Sequence, residues 1–140
     1  MKKFDDITGE IVDAAIKLHR GLGPGLLESV YEQILARELA QRGLTVERQK
    51  IVSFEFDGMF FDEGFRLDLL VENSVIVELK SVEKLAPVHS KQVLTYLRLM
   101  NLPVGLLINF GASTLIEGLH RIVNHLPEAA DSKLRVNQTK

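Results

Sequence analysis

The sequence predicts a single α/β (α+β) domain whose elements follow the order α-α-β-β-β-α-β-β. Two segments with apolar residues at helical spacing come first, and alternating apolar segments bounded by turn residues follow them. The run from Val104 to Asn109 is apolar along almost its whole length. Such a run is expected of a central strand that is covered on both faces.

Three helices are predicted. The first spans about residues 6–19 and the second about residues 26–41, with the glycine-rich segment 21–25 between them. Gly43 ends the second helix. Pro87 can open the third helix, which runs to about Met100, because proline is favoured in the first turn of a helix.

Five strands are predicted from alternating or continuous apolar patterns. They span residues 45–56, 59–70, 75–82, 104–110 and 115–122. The pair Asp57-Gly58 is a strong hairpin signal between the first two strands. Residues 62–64 are expected to break the second strand, and the alternation of the first strand is imperfect in its first half.

The length and composition of the chain limit its possible domain organisation. The chain of 140 residues fits one domain, expected over residues 1–126, followed by a polar tail, residues 127–140, that is expected to be frayed. No apolar run approaches the roughly 20 residues that span a bilayer, and no secretory signal is visible, so a membrane partner is excluded. With 0 cysteines, a cytoplasmic location is expected.

The net charge of the chain limits the classes of function that it can have. The net charge of −2, from 17 basic and 19 acidic residues, lacks the basic footprint of a constitutive nucleic-acid binder. It argues less against a metal-dependent nuclease, because a bound cation would offset the acidic residues of its own site.

Polar residues interrupt two of the predicted strands. Asp68 lies inside the apolar run 65–71, and Glu78 and Lys80 lie in the run Val75–Lys80. Side chains alternate along a strand, so Glu78 and Lys80 point the same way, and the turn at residues 72–74 can bring Asp68 beside them. Buried carboxylates are costly without a partner, so this cluster indicates an ion-pair network, a metal site, or both.

The metal interpretation follows from ligand chemistry. The carboxylates of Asp68 and Glu78, with the main-chain carbonyl of Leu79, offer the hard oxygen ligands that suit Mg²⁺ or Mn²⁺. Lys80 could orient the attacking water or stabilise charge that develops on a phosphate. The alternative is a structural salt-bridge cluster on a half-exposed sheet, and the spacing alone leaves both interpretations open.

At this point the chain resembles a known family. Asp68 and Glu78-Leu79-Lys80 resemble the Asp and Glu-x-Lys elements of the PD-(D/E)XK nuclease superfamily. The segment 25–31 matches the signature of the small bacterial GxxExxY family, and the segment 92–96 resembles the Gln-x-x-x-Tyr element of RecB-type members. The resemblance covers about residues 7–123. Leu67 stands where the superfamily often has proline, which removes no ligand.

The resemblance implies a restriction-endonuclease-like core, with a mixed central β-sheet flanked by helices. It implies a Mg²⁺- or Mn²⁺-dependent deoxyribonuclease with Asp68 and Glu78 as direct metal ligands and Lys80 assisting hydrolysis. Glu28 would be a further ligand or would hold the metal's water. Gln92 and Tyr96, one turn apart on a helix, would line the site and contact a phosphate or the carboxylates.

Two alternatives remain at this stage. One is a non-catalytic interaction protein that keeps the nuclease-like fold and binds a protein partner. The other is a homodimeric scaffold, formed when the last predicted strand, residues 115–122, pairs across an open sheet edge. The expected partner of the nuclease itself is nucleic acid, and DNA before RNA.

Overall fold

The computed structural model describes residues 3–125 and the backbone of residues 134–137. The helices in this part of the chain are α1 (Phe4–Leu22), α2 (Glu28–Gln41), α3 (Pro87–Met100) and α4 (Leu115–Gly118). Its strands are β1 (Val46–Phe56), β2 (Met59–Val71), β3 (Val75–Lys80), β4 (Val104–Asn109), β5 (Leu119–Val123) and β6 (Leu134–Asn137). Within the described residues, no helix is long and apolar enough to cross a membrane.

The strands form one mixed sheet in the order β5-β4-β3-β2-β1-β6. Among the described strands, only β3 and β4 pair in parallel, and α3 is the crossover between them. The remaining neighbours are antiparallel. A parallel connection needs a crossover of this kind, whereas the tight turns between β1, β2 and β3 can join only antiparallel strands.

Helices cover both faces of the sheet. One core lies between the sheet and the pair α1 and α2, and it takes Val75, Val77 and Leu79 from β3. The other core lies under α3, and it takes Ile76 from the same strand. Because side chains alternate along a strand, Glu78 and Lys80 share the α3 face with Ile76. The fold class predicted from the sequence, a mixed sheet flanked by helices, is therefore confirmed.

The last predicted strand, residues 115–122, is wrong in its first half. Residues Leu115–Gly118 form the helical turn α4, and the strand begins only at Leu119. The Thr114 side chain caps this turn by accepting a hydrogen bond from the Glu117 amide at 3.3 Å. A capping interaction of this kind outweighs the apolar alternation in a segment as short as this one.

Two other differences concern β2 and the tail. Strand β2 runs unbroken through residues 62–64, and a register shift against β1 between Val52 and Phe54 absorbs the irregularity. The tail was expected to be frayed throughout, which is wrong for Leu134–Asn137, because these residues pair with β1. The pairing depends on an open edge of β1 that no local pattern reveals. The rest of the tail lies outside the described residues, so the boundary at residue 126 stays a prediction.

Tyr31 fixes the glycine-rich loop between α1 and α2. Its side chain is 0% exposed, and its ring stacks on Phe110 with a centroid separation of 4.4 Å. The hydroxyl donates a hydrogen bond to the Gly23 carbonyl at 2.6 Å and accepts one from the Leu26 amide at 3.1 Å. The tyrosine of the Gly-x-x-Glu-x-x-Tyr segment therefore holds the loop that leads into α2.

We expect Tyr31→Phe to lower the free energy of unfolding by about 1–3 kcal/mol, because two backbone groups of the loop lose their partner. Urea denaturation measures this change. Tyr96→Phe is the matched control, since the Tyr96 hydroxyl makes no hydrogen bond within residues 3–125. Equal stability of the two variants would contradict the structural role of Tyr31.

Candidate active site

Strands β2 and β3 stop pairing through their backbones partway along, and side-chain carboxylates take over the hydrogen bonds between them. Their ladder runs from the pair Val71 and Val75 to the pair Leu69 and Val77. Beyond it, the Asp68 amide donates to Glu78 Oε2 at 2.7 Å. The Leu79 amide donates to Asp68 Oδ2 at 2.8 Å.

Each carboxylate is therefore held by the backbone of the opposite strand, and one oxygen of each is used in this way. We call this feature, Asp68 with Glu78 and Leu79, the fork. It places the two predicted carboxylates side by side, as the sequence pattern indicated.

Burial and like charge make the fork electrostatically costly. The Glu78 side chain is almost fully buried, and this burial, together with the negative charge of Asp68, raises the pKa of Glu78 to about 8. Burial is also the main reason why the pKa of Asp68 lies above its usual value. The hydrogen bonds from the backbone amides act in the opposite direction, as does the charge of Lys80. Two carboxylates in this environment are unfavourable as a pair of anions unless a cation compensates them.

Lys80 ends β3 next to the fork. Its positive charge lowers the pKa of both Asp68 and Glu78. Among residues 3–125, the Lys80 ammonium forms no ion pair within 4.0 Å, so it lies near the carboxylates without being bound by them. The side chain is half-buried and is available to a ligand that enters the fork.

Leu79 directs its backbone towards the fork. The amide and the carbonyl of one strand residue point to the same side of the strand. The Leu79 amide donates to Asp68, so the Leu79 carbonyl also points towards β2. The next carbonyl, that of Lys80, points the other way and accepts from the Phe110 amide at 2.8 Å.

Asn109, at the end of β4, fixes the chain that leaves β3. Its side chain is buried, and Oδ1 accepts from the Val82 amide at 3.0 Å while Nδ2 donates to the Val82 carbonyl at 2.9 Å. The same oxygen accepts from the Gly111 amide at 2.9 Å. This pairing continues the link between β3 and β4 beyond the strands, which restrains the position of Lys80.

Tyr96 lies on α3 and packs against the core on the α3 face of the sheet, the face that Glu78 shares. Its ring stacks on Phe65 with a centroid separation of 4.6 Å. Burial raises the pKa of the Tyr96 hydroxyl, and the negative charges of Glu78 and Asp68 raise it further. Tyr96 is therefore near enough to both carboxylates for their charges to affect the pKa of its hydroxyl. Gln92, one turn earlier on α3, is exposed.

The sequence predicts Glu28 as a further ligand of the metal or as a holder of the metal's water. It is exposed in the first turn of α2, and it lines a cleft together with Leu26, Ser81, Val82 and Gly111. Within the described residues, no hydrogen bond or ion pair links Glu28 to either carboxylate of the fork. Its role as a third ligand stays a prediction.

Two residues that sequence reasoning did not select lie closer to the fork. Glu32, one turn after Glu28 on α2, is buried, and its negative charge raises the pKa of both Asp68 and Glu78. The Gln49 side-chain amide donates to Glu32 Oε1 and, at 3.4 Å, to Asp68 Oδ1. The only sequence signal for them is the broken alternation at Gln49 in the first half of β1.

The donors of the fork fit a hard divalent cation in type. They are two carboxylates and one main-chain carbonyl, the oxygen ligands that Mg²⁺ and Mn²⁺ prefer. Between residues 3 and 125, however, no group of three or more histidine or acidic side chains is arranged to hold a metal ion. Any ion at the fork would therefore complete its coordination with water or substrate oxygens.

The fold and the fork together define a class of protein. A mixed sheet flanked by helices, with an Asp on one strand and Glu-x-Lys on the next, is the restriction-endonuclease-like arrangement. Residues 5–122 match the family model described as the PD-(D/E)XK nuclease superfamily. The chain therefore belongs to the PD-(D/E)XK nuclease superfamily. Searches of curated proteins and of solved structures found no match.

Proposed function

We propose that this protein is a metal-dependent phosphodiesterase that hydrolyses DNA, and that it belongs to the GxxExxY family within the superfamily. One observation carries the proposal: the fork brings two carboxylates together in a buried setting beside Lys80, which forms no ion pair with residues 3–125. This combination is costly for stability and useful for phosphoryl chemistry.

The metal-binding part of the proposal assigns Asp68, Glu78 and the Leu79 carbonyl as ligands of Mg²⁺ or Mn²⁺. When bound there, the ion would lower the pKa of a water and neutralise a scissile phosphate. The proposal keeps Glu28 as a candidate for holding a water of the ion, at the end of a cleft that opens to solvent.

The remaining residues act on the substrate. Lys80 would donate to the attacking water or to a phosphate oxygen, and it would stabilise the charge that develops there. A tyrosine hydroxyl is protonated at neutral pH, since its ordinary pKa is about 10, so the Tyr96 hydroxyl can donate a hydrogen bond to a phosphate. Gln92, exposed one turn away on α3, would contact the same strand of nucleic acid.

The proposed substrate is DNA bound through its phosphates, with weak sequence preference. Specificity comes from contacts to base edges, and the sequence contains no separate recognition motif that would make them. A cytoplasmic location, expected from the absence of cysteine, belongs to the same proposal.

The test is metal-dependent cleavage by wild type and by Asp68→Asn. Mn²⁺ binding is measured alongside cleavage of labelled single-stranded, duplex and flapped DNA. We expect Asp68→Asn to reduce both Mn²⁺ binding and DNA cleavage by at least about tenfold, because a carboxylate that binds the metal directly is removed. Asp62→Asn, an exposed carboxylate on the same strand, is the matched control and should behave like wild type. Unchanged Mn²⁺ affinity and cleavage in Asp68→Asn would contradict the assignment.

A second candidate is a non-catalytic interaction protein with the same fold. It is favoured by the end of the β1–β2 hairpin, where Phe56, Met59 and Phe60 are all exposed. Adjacent exposed apolar side chains of this kind are typical of protein contact surfaces. Failure of wild type to cleave any DNA in the panel, with either metal, would favour this candidate.

A further inference from the structure

Gln49 has an unusual backbone conformation opposite the fork. Its neighbours Arg48 and Lys50 pair with Leu69 and Leu67, so Gln49 stands across from Asp68. Its φ angle is 50°, in the left-handed region that residues other than glycine, asparagine and aspartate rarely adopt. Such conformations persist where the surrounding structure enforces them, and they concentrate at functional sites.

The Gln49 side chain connects two carboxylates. Its amide nitrogen carries two hydrogens, so it can donate to Glu32 Oε1 and to Asp68 Oδ1 at the same time. Glu32 is 5% exposed, and Arg48 Nε donates to its other oxygen at 3.1 Å. Glu32 is therefore held in place, and the Gln49 side chain bridges Glu32 and Asp68 of the fork.

We propose that Gln49, anchored by Glu32, is a positioning residue that fixes the rotation of the Asp68 carboxylate. This inference rests on the proposed function, because it assigns the orientation to metal binding. With Oδ1 held by Gln49, Oδ2 faces the Leu79 amide, and the plane of the carboxylate is set before any ion arrives. Replacement of a partner that orients a metal ligand typically lowers metal affinity by about 10–100-fold.

A purely structural role for Gln49 makes a different prediction. The Gln49 amide also separates two like charges, so its removal would be expected to reduce global stability whatever happens at the fork. The left-handed backbone allows the two roles to be distinguished. Glycine accepts this φ angle without strain, whereas alanine does not, so Gln49→Gly and Gln49→Ala lose the same amide but differ in backbone strain.

The experiment measures orientation and metal binding separately. Hydrogen exchange of the Leu79 amide reports whether Asp68 Oδ2 stays in place, and the Leu107 amide in β4 is the internal reference. Electron paramagnetic resonance titration with Mn²⁺ alone gives the dissociation constant, and thermal melting reports global stability. All three are measured on the full chain for wild type and both variants.

In both variants we expect Leu79 exchange to accelerate by about fivefold or more, which corresponds to the loss of one hydrogen bond. Leu107 exchange should stay unchanged in Gln49→Gly. We also expect Mn²⁺ to bind about tenfold more weakly in both variants, although Gln49→Gly should melt at a higher temperature than Gln49→Ala.

Unchanged Leu79 exchange in Gln49→Gly would overturn the positioning role, whatever the metal affinity. Faster Leu79 exchange with unchanged Mn²⁺ affinity would overturn its link to metal binding. If wild type itself binds no Mn²⁺, the proposed function fails, and the Leu79 exchange rate still decides whether Gln49 orients Asp68.

Discussion

Replacing Lys80 by alanine is expected to reduce DNA cleavage by about a hundredfold or more while Mn²⁺ binding is retained. The ammonium carries positive charge next to the fork, yet it is not one of the oxygen ligands. Its removal takes away a donor for the water or the phosphate, and it leaves Asp68 and Glu78 in place. Affinity for Mn²⁺ should not fall, because a positive charge that competes with the ion has gone.

Lys84→Ala is the control for this experiment. Lys84 is exposed in the loop that follows β3, so its removal changes the net charge equally without touching the fork. Both variants are purified in the same way as wild type, which identifies any contaminating nuclease. Cleavage by Lys80→Ala at the rate of wild type would exclude Lys80 from the reaction. Loss of Mn²⁺ binding in this variant would show that Lys80 acts through the metal site.

The second large effect is expected on stability. Glu78→Gln should stabilise the metal-free protein at pH 8.5 by an amount on the order of a few kcal/mol, because it removes a buried charge. In wild type, the pKa of Glu78 rises from 4.5 to about 8 on folding. The folded state therefore binds more protons than the unfolded state between these two values. Stability is expected to fall as pH rises through this window, and to level off above about pH 8.

Glutamine preserves the main contact of Glu78. Its side-chain carbonyl can still accept from the Asp68 amide, which donates to Glu78 Oε2 at 2.7 Å in the wild-type structure. The variant therefore loses the charge without leaving that amide unsatisfied. Urea denaturation in EDTA at pH 5 and at pH 8.5 checks the prediction, and the difference between variant and wild type should be small at pH 5.

Addition of Mg²⁺ or Mn²⁺ should reverse the order of stability. Wild type gains stability from a ligand that binds only the folded state, whereas Glu78→Gln lacks one carboxylate and gains little. Equal stabilisation of both proteins by the metal would place the binding site elsewhere. A wild-type stability that does not change between pH 5 and pH 8.5 in EDTA would contradict the burial of an ionisable Glu78.

Some elements are visible in the sequence because local signals agree. The predicted third helix coincides with α3, since Pro87 occupies the first turn and the apolar spacing continues to Met100. Asn101 then takes a left-handed C-cap, with φ 56° and ψ 44°. The last strand was predicted less well, because the capping of α4 by Thr114 involves only one turn of chain.

The candidate site was likewise predicted in part from local signals and in part not. Asp68, Glu78 and Lys80 could be predicted to converge because the alternation of side chains and a tight turn determine their relative positions. Their location at the point where β2 and β3 stop pairing could not be predicted, because it depends on where the backbone hydrogen bonds between the two strands end. The sequence also favoured Glu28 over Glu32, since the motif names the first of these residues.

The sequence by itself determined the fold class, the helix boundaries with strong local signals, and the pairing of Asp68 with Glu-x-Lys. These features depend on periodicity and on short turns, which are local properties of the chain. The tertiary structure alone decided that Glu32 is buried near the fork and that Gln49 joins it to Asp68. The reason is physical: these contacts join α2, β1 and β2, and which residue faces which is set by how the helix packs on the sheet.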